Sequence, residues 1–345
     1  MYDTYLAVLV PSAISLIVTL ITTKFLMSYF YDAGVIAEDR NKKKTARIPS
    51  SGGLAVALGI IVGMLSYTFG ARFIFISALS VSRLLAVALS IILIAFVGFL
   101  DDINVKATRV QSTDRKDIRK GLKQWQKPIL TLLGALPLMA INAGVHQISV
   151  PFLGTVTLGY IYPLIVIPLA VVFVSNSVNL LGGFDGLQPG MTLVASLGML
   201  VYSLFYGNYI GFLLSALLFV SILMFTPFNT YPARIMPGDS FTYTAGGALV
   251  AIMVMGNAEI FGMIIFIPWI IEFFLHLRRR FNVTDLGIRQ KDGTFSAPYG
   301  GRIYSLTHAV MNMRRLREYE VTAYLVVLEA FFVILGLSLK ASGIM

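Results

Sequence analysis

Ten apolar stretches alternate with short polar links along the chain, near 5–29, 52–69, 84–100, 127–142, 159–179, 189–206, 209–226, 241–256, 258–275 and 320–339. A helix needs about 20 consecutive apolar residues to cross the hydrocarbon core of a bilayer. Only helices and closed barrels satisfy their own backbone there. The pattern therefore predicts an all-α polytopic membrane protein of about ten transmembrane helices, forming one integral membrane domain over 1–345. The stretches at 127–142 and 241–256 are short for a full span. Two links carry strand patterning. HQISVPFLGTVTLG (146–159) alternates around a Pro and a Gly, and GIRQKDGTFSA turns at Asp292-Gly293, so each predicts a small β-hairpin in a loop.

Composition agrees with lipid as the solvent. The chain is 57% hydrophobic and 13% charged, with a mean hydropathy of +0.80, whereas soluble domains carry roughly 25% charged residues. There is no cysteine, which excludes disulfides and thiolate chemistry. No A-x-A-like cleavage site follows the first apolar stretch, which is expected to persist as a spanning helix. The net charge of +10 would suit a nucleic-acid binder if it lay on one soluble face. Instead, of 27 basic residues, all but Lys24, Arg72, Arg83 and Lys340 fall in the links after odd-numbered stretches. The positive-inside rule puts those links in the cytoplasm and both termini outside. The basicity is topological, and no nucleic-acid partner is expected.

Four polar clusters stand on that same inner side: GFLDD with Asp101 and Asp102, QWQKP with Lys127, NSVNLLGGFDGL with Asn176, Asn179, Gly183 and Asp185, and PARIMPGDS with Asp239. Carboxylates at a membrane boundary are expensive and mark function more often than chance. Asp101 and Asp102 end a helix, where negative charge opposes the macrodipole, so a cation, either a basic side chain or a metal, is expected to compensate. The bland reading of Asp239 is an N-cap of the eighth helix. The oxygens of Asp101, Asp102, Asp239 and Asn179 suit Mg²⁺, with Mn²⁺ as the alternative, bound by few protein oxygens plus substrate phosphates. With three histidines and no cysteine, zinc is not expected. The HLRRR run, His276 to Arg280, is either a positive-inside anchor or a pair of cations reaching a sugar phosphate. Glu259 reads as exposed at an outer turn, Glu272 and Glu329 as paired between helices, and STDRKDIRK as a solvated loop.

Taken in order, RIPSSGG (47–53), GFLDD (98–102), the lysine of QWQKP, NSVNLLGGFDGL (176–187) and FNTYPARIMPGDS (228–240) give a chain that resembles the polyprenyl-phosphate N-acetylhexosamine-1-phosphate transferases over nearly its whole length. That resemblance implies a ten-helix membrane enzyme with its active site on the cytoplasmic face, acting with Mg²⁺ on a UDP-sugar and a polyprenyl phosphate among membrane lipids, as a homodimer. It implies that Asn179 and Asp239 hold the metal, that Lys127 contacts the diphosphate, and that Asp185 lies against uracil, with Asn176 orienting the same loop. Gly183, Arg47, His276, Arg278, Arg279 and Arg280 fall in its substrate-binding stretches. After the GD pair, SFTYTAGG and a lone His276 before arginines depart from the muramoyl-pentapeptide subgroup. They are similar to the dolichyl-phosphate subgroup that begins N-glycan lipid precursors, in an archaeal form, although the His-Arg-Ile-Pro stretch of the eukaryotic enzymes is absent.

The implied reaction moves N-acetylglucosamine-1-phosphate from UDP-N-acetylglucosamine to dolichyl phosphate and releases UMP. Two schemes remain open: direct attack by the lipid phosphate, or a nucleophile or base supplied by Asp101 or Asp102. The reading also competes with the same reaction on another UDP-N-acetylhexosamine, for cell-wall or envelope glycan, and with a lipid-phosphate or nucleotide-sugar transporter. A transporter is expected to carry its polar groups at mid-membrane, often with repeat symmetry.

Overall fold

The computed structural model describes residues 2–42, 46–75, 79–103, 109–111, 116–118, 122–123, 125–145, 147–150 and 154–345. Each of the ten apolar stretches lies on helix. In chain order these are α1 (Tyr2–Asp32), α2 (Gly53–Phe73), α3 (Val81–Ile103), a broken segment of α4 (Gln126–Thr131), one 3₁₀ turn and α5 (Leu136–Ala140), then α6 (Ile167–Leu180), α7 (Leu187–Phe205), α8 (Tyr209–Asn229), α9 (Gly238–Gly256), the pair α10 (Glu259–Ile265) and α11 (Ile267–Leu277), and α13 (Glu318–Ala341). A short π-helical turn, Tyr162–Val166, leads into α6, and a short amphipathic helix, α12 (Leu306–Met313), precedes α13.

Among the described residues, seven helical segments are long and apolar enough to cross a membrane unaided, and α10 with α11 makes an eighth if counted as one span bent by 58°. Pro268 sits in the first turn of α11, where its missing N–H and fixed φ accommodate such a break. The two short stretches fall outside the seven for different reasons. The fourth is broken into short pieces. The eighth, α9, is the central helix, and every residue from Ser240 to Gly256 is buried. Packed by α2, α3, α6 and α8, it meets no lipid and tolerates its Ser, Thr, Tyr and Gly content. The outer helices behave oppositely: Leu9, Ile17, Ile21 and Phe25 of α1 and Val327, Phe331 and Ile334 of α13 are exposed, as a lipid-facing surface requires.

Both expected hairpins form, β5 (Gln147–Val150) with β6 (Gly154–Thr157) and β7 (Ile288–Arg289) with β8 (Phe295–Ser296). Two more were not expected. β1 (Ile36–Asp39) pairs with β2 (Ala46–Pro49), and β3 (Arg109–Gln111) pairs with β4 (Lys116–Ile118), so part of the stretch read as a solvated loop is a hairpin. Glu259 is half-buried and accepts a hydrogen bond from the Tyr162 hydroxyl, because the outer turn folds back onto the helix entry. Glu272 pairs with His276 one turn along its own helix, and its Oε2 also accepts from the Leu306 N–H at the start of α12 at 2.7 Å, so it links two helices as expected. Glu329 is fully buried, and among the described residues neither of its carboxyl oxygens has a hydrogen-bond partner.

Candidate active site

The polar clusters converge at one end of the bundle. RIPSSGG does so as a backbone splint: the Met236 N–H donates to the Pro49 carbonyl, and the N–H groups of Gly52 and Gly53 donate to Met236 and Pro237. The segment that starts α2 thereby fixes the loop that carries Asp239.

Asp101 and Asp102 part company although adjacent. Asp102 accepts hydrogen bonds from the backbone N–H of Asp239 (2.7 Å) and Ser240 (3.1 Å). The carboxylate at the C-terminal end of α3 thus caps the N-terminus of α9, where the free N–H groups and the dipole both favour a negative charge. Asp102 thus takes the capping place that the bland reading gave to Asp239, and α9 has no side-chain cap from its own flank. Two glycines make the contact possible. Gly98 lets α3 approach so closely that a Cβ there would lie 2.4 Å from the Asp239 carbonyl oxygen, and Gly238 has φ +72° with its Cβ position 2.4 Å from an Asp102 oxygen.

Relieved of capping, the Asp239 side chain faces its neighbours. Its Oδ2 accepts from the Lys127 ammonium at 2.9 Å and from the Asn179 amide at 3.0 Å. Lys127 also pairs with the buried Asp101, which in turn accepts from the Leu122 backbone N–H. The compensating cation for Asp101 is thus Lys127, and for Asp102 a helix end. Asn176 donates to Thr131 Oγ1 at 3.1 Å and to the Val172 carbonyl, and the Tyr243 hydroxyl reaches its Oδ1 at 3.4 Å. It ties α4, α6 and α9 together beneath this group.

Asp239 and Asn179 lie side by side, and Asp239 keeps a quarter of its side chain exposed. Their hard oxygens fit a divalent ion that takes its remaining ligands from phosphate and water. Asp102 is turned to backbone N–H groups and is poorly placed to join them. Among the described residues, the groups of three acidic or histidine side chains close enough to share one ion lie elsewhere, at Glu272, His276 and Asp285 and at Asp39, Asp185 and Glu318.

The second of those groups surrounds Asp185, which is buried. Its Oδ2 accepts from Lys42 at 2.5 Å and from the Ala233 N–H at 2.9 Å. Its backbone is held by Glu318 and Thr322 at the start of α13, and Asn229 accepts from the next amide, Gly186. Burial pulls the Lys42 pKa down, but hydrogen bonds and ion pairs with Asp185 and Glu318 outweigh it and hold it above its ordinary value. Gly183 has φ +90°, and a Cβ there would crowd the backbone of Asp285.

The last inner loop lies against this side. Phe184 meets Phe295 of β8 edge-on at 5.5 Å. His276 is buried, with Nε2 2.8 Å from Glu272 Oε1 and 3.0 Å from Asp285 Oδ1, so its ring is held by carboxylates. Arg279 stacks over Tyr299 and Tyr304, and Arg278 lies over Tyr304 and donates to the Ile303 carbonyl. Arg280 takes a left-handed backbone turn, φ +52°. Arg47 stands apart on β2, 69% exposed, with Glu38 at 3.7 Å its one ion-pair partner among the described residues. The reading of the sequence missed Lys42, Asn229, Asp285 and Glu318. Glu318 alone carried a signal, as a carboxylate at the start of an apolar helix.

Comparison with known proteins bears on this site. The model of "Glycosyl transferase family 4" matches residues 84–257, which include Asp101, Asp102, Lys127, Asn179, Asp185 and Asp239. A Saccharolobus solfataricus protein, provisionally named a UDP-N-acetylglucosamine–dolichyl-phosphate N-acetylglucosaminephosphotransferase, is 31% identical over 98% of this chain and 98% of its own. The protein of that name from Dictyostelium discoideum is 26% identical over 73% of this chain and 67% of its own. A phospho-N-acetylmuramoyl-pentapeptide-transferase of Caldicellulosiruptor bescii is 29% identical over 78% of this chain and 80% of its own.

Proposed function

The chain belongs to glycosyl transferase family 4, and we propose that it transfers N-acetylglucosamine-1-phosphate from UDP-N-acetylglucosamine to a dolichyl or related polyprenyl phosphate, releasing UMP as the first step of a lipid-linked oligosaccharide. The observation that carries this reading is the Asp101–Lys127–Asp239–Asn179 chain of contacts at the loop-bearing end of the bundle. It sets one cation and one partly open carboxylate side by side, where a diphosphate and its metal need them. The names of the near-full-length relative and the Dictyostelium protein support the donor and acceptor.

Phosphoryl transfer needs positioning and charge neutralisation more than a protein nucleophile. The lipid phosphate, with a second pKa near 6, is largely dianionic at neutral pH. One of its oxygens attacks the sugar-bearing phosphorus, the bond to the UMP oxygen breaks, and UMP leaves with the electron pair. Lys127 offsets the charge growing on the leaving phosphate. Asp101, buried and fixed by the Leu122 N–H, keeps the Lys127 ammonium from swinging away. Asp102 acts one step back, by holding the first turn of α9 and hence Asp239. Mg²⁺ held by Asp239 and Asn179 would supply further charge neutralisation of the diphosphate. The positive-inside distribution of basic residues supports a cytoplasmic site with both termini outside. Incubating purified protein with Mg²⁺, labelled UDP-sugars and dolichyl phosphate tests the reading. A lipid-linked sugar and UMP are expected, whereas sugar uptake into vesicles without UMP release would instead indicate a transporter.

A further inference from the structure

Lys42 lies in the basic link after α1, where topology alone accounts for a lysine, yet the fold buries most of its side chain, leaving 17% exposed. Its ammonium sits 2.5 Å from Asp185 Oδ2, 3.0 Å from Glu318 Oε2 and 3.1 Å from Asp39 Oδ2, and 4.2 Å from the centre of the Tyr231 ring. Three carboxylates with ligand atoms this close repel one another strongly in a poorly hydrated site, and one cation bridges them. Beside it, the Asn41 amide donates to the Gly183 carbonyl at 2.6 Å and to Glu318 at 3.2 Å. Residues 39–42 therefore tie the glycine-rich loop at 182–186 to the first turn of α13 and, through Asp185 and Ala233, to the loop that leads to Asp239.

We propose that Lys42 is the positioning residue of the donor-nucleotide loop, setting the place of Gly183 and Asp185 and hence the affinity for the uridine end of the donor. This rests on the proposed reading of the donor and on the resemblance that puts Asp185 against its uracil, and it deepens that reading. Lys42 touches none of Asp101, Lys127, Asn179 or Asp239 among its described contacts, so it bears on donor binding and leaves the transfer step intact. Without the ammonium, three buried carboxylates face one another and the loop gives way. A site whose groups are displaced binds more weakly but reacts normally once filled, which raises KM at constant kcat.

The test is steady-state kinetics of detergent-purified wild type, Lys42→Met, Lys42→Arg and the double variant Lys42→Met/Glu318→Gln, with calorimetric binding of UDP to each. Expected are a donor KM raised about tenfold or more in Lys42→Met with kcat within about threefold, an unchanged KM for polyprenyl phosphate, and UDP binding weakened in parallel. Lys42→Arg, which keeps the charge, and the double variant, which returns the cluster to its native formal charge, should recover most of the loss. A fall in kcat at unchanged donor KM is what a merely structural role produces, through less folded enzyme, and would overturn the proposal. So would no change at all, or equal losses in all three variants. If wild type neither turns over UDP-N-acetylglucosamine nor binds UDP, the reading of the donor fails, and this proposal with it. An active wild type with an unshifted Lys42→Met sinks this proposal alone.

Discussion

Substituting Asp102 separates a carboxylate that holds a helix from one that does chemistry. Its two hydrogen bonds, at 2.7 and 3.1 Å, join a charged acceptor to backbone donors, and bonds of that kind contribute about 1.5–3 kcal/mol each. Asp102→Ala removes both and leaves the first turn of α9 uncapped, a local loss of about 3–5 kcal/mol. Asp102→Asn keeps one carbonyl acceptor and loses the charge, a loss of about 1–2 kcal/mol. If each variant feels its full loss through misplacement of Asp239, activity falls about tenfold in Asn and about 10²–10⁴-fold in Ala, at 1.36 kcal/mol per decade. Both should also melt at a lower temperature, Ala the lower of the two. Gly238→Ala attacks the same contact from the other side, because its Cβ would meet the Asp102 carboxylate, and should resemble Asp102→Ala. UMP release at saturating substrates and thermal unfolding in detergent give both readouts. A nucleophile or base at Asp102 predicts otherwise: Asn and Ala equally inactive at an unchanged melting temperature. That result would refute the capping role and revive the two-step scheme.

Other expectations follow from the same geometry. Asp239→Ala should lower activity by at least ~10²-fold, with poor rescue by added Mg²⁺, while Asn179→Asp retains more activity than Asn179→Ala; equal activity of the two Asn179 variants would count against a ligand role. Chelation should abolish UMP release and added Mg²⁺ should restore it, which a titration with metal-free enzyme checks. UDP-muramoyl-pentapeptide should not be turned over, and comparable rates with both donors would show that SFTYTAGG and the lone His276 do not report the substrate. Because the chain has no cysteine, single Ser342→Cys and Asp292→Cys variants report topology directly. An impermeant thiol reagent should label the first from outside intact cells and the second only after lysis.

The helices were legible because hydropathy acts one segment at a time, and each apolar stretch had to become helix in lipid. The central position of α9 showed only as a short stretch with Ser, Thr, Tyr and Gly in it, because the helices that surround a segment are not written in the segment itself. At the site, the residue types were legible and their partners were not. Asp102 and Asp239 are 137 residues apart, and no local pattern reveals that the first caps the helix on which the second sits. Lys42 was hidden by the rule that explained it, because a lysine in an inner loop looks complete as a topological signal. For His276, Arg278 and Arg279 the sequence left open a positive-inside anchor or a reach to a sugar phosphate, and it could not show the carboxylate, carbonyl and tyrosine partners that the fold gives them.

The central claim is that a sugar phosphate moves, and the position of one phosphorus atom tests it most directly. Purified protein is incubated with dolichyl phosphate, Mg²⁺ and UDP-N-acetylglucosamine carrying radioactive phosphorus only in the sugar-linked phosphate. Direct transfer predicts that the label appears in a lipid diphosphate-sugar with unlabelled UMP released in equal amount. It also predicts no labelled protein when the lipid is omitted. Label remaining in UDP while the sugar reaches the lipid would contradict the account, and so would label trapped on Asp101 or Asp102 in the absence of acceptor.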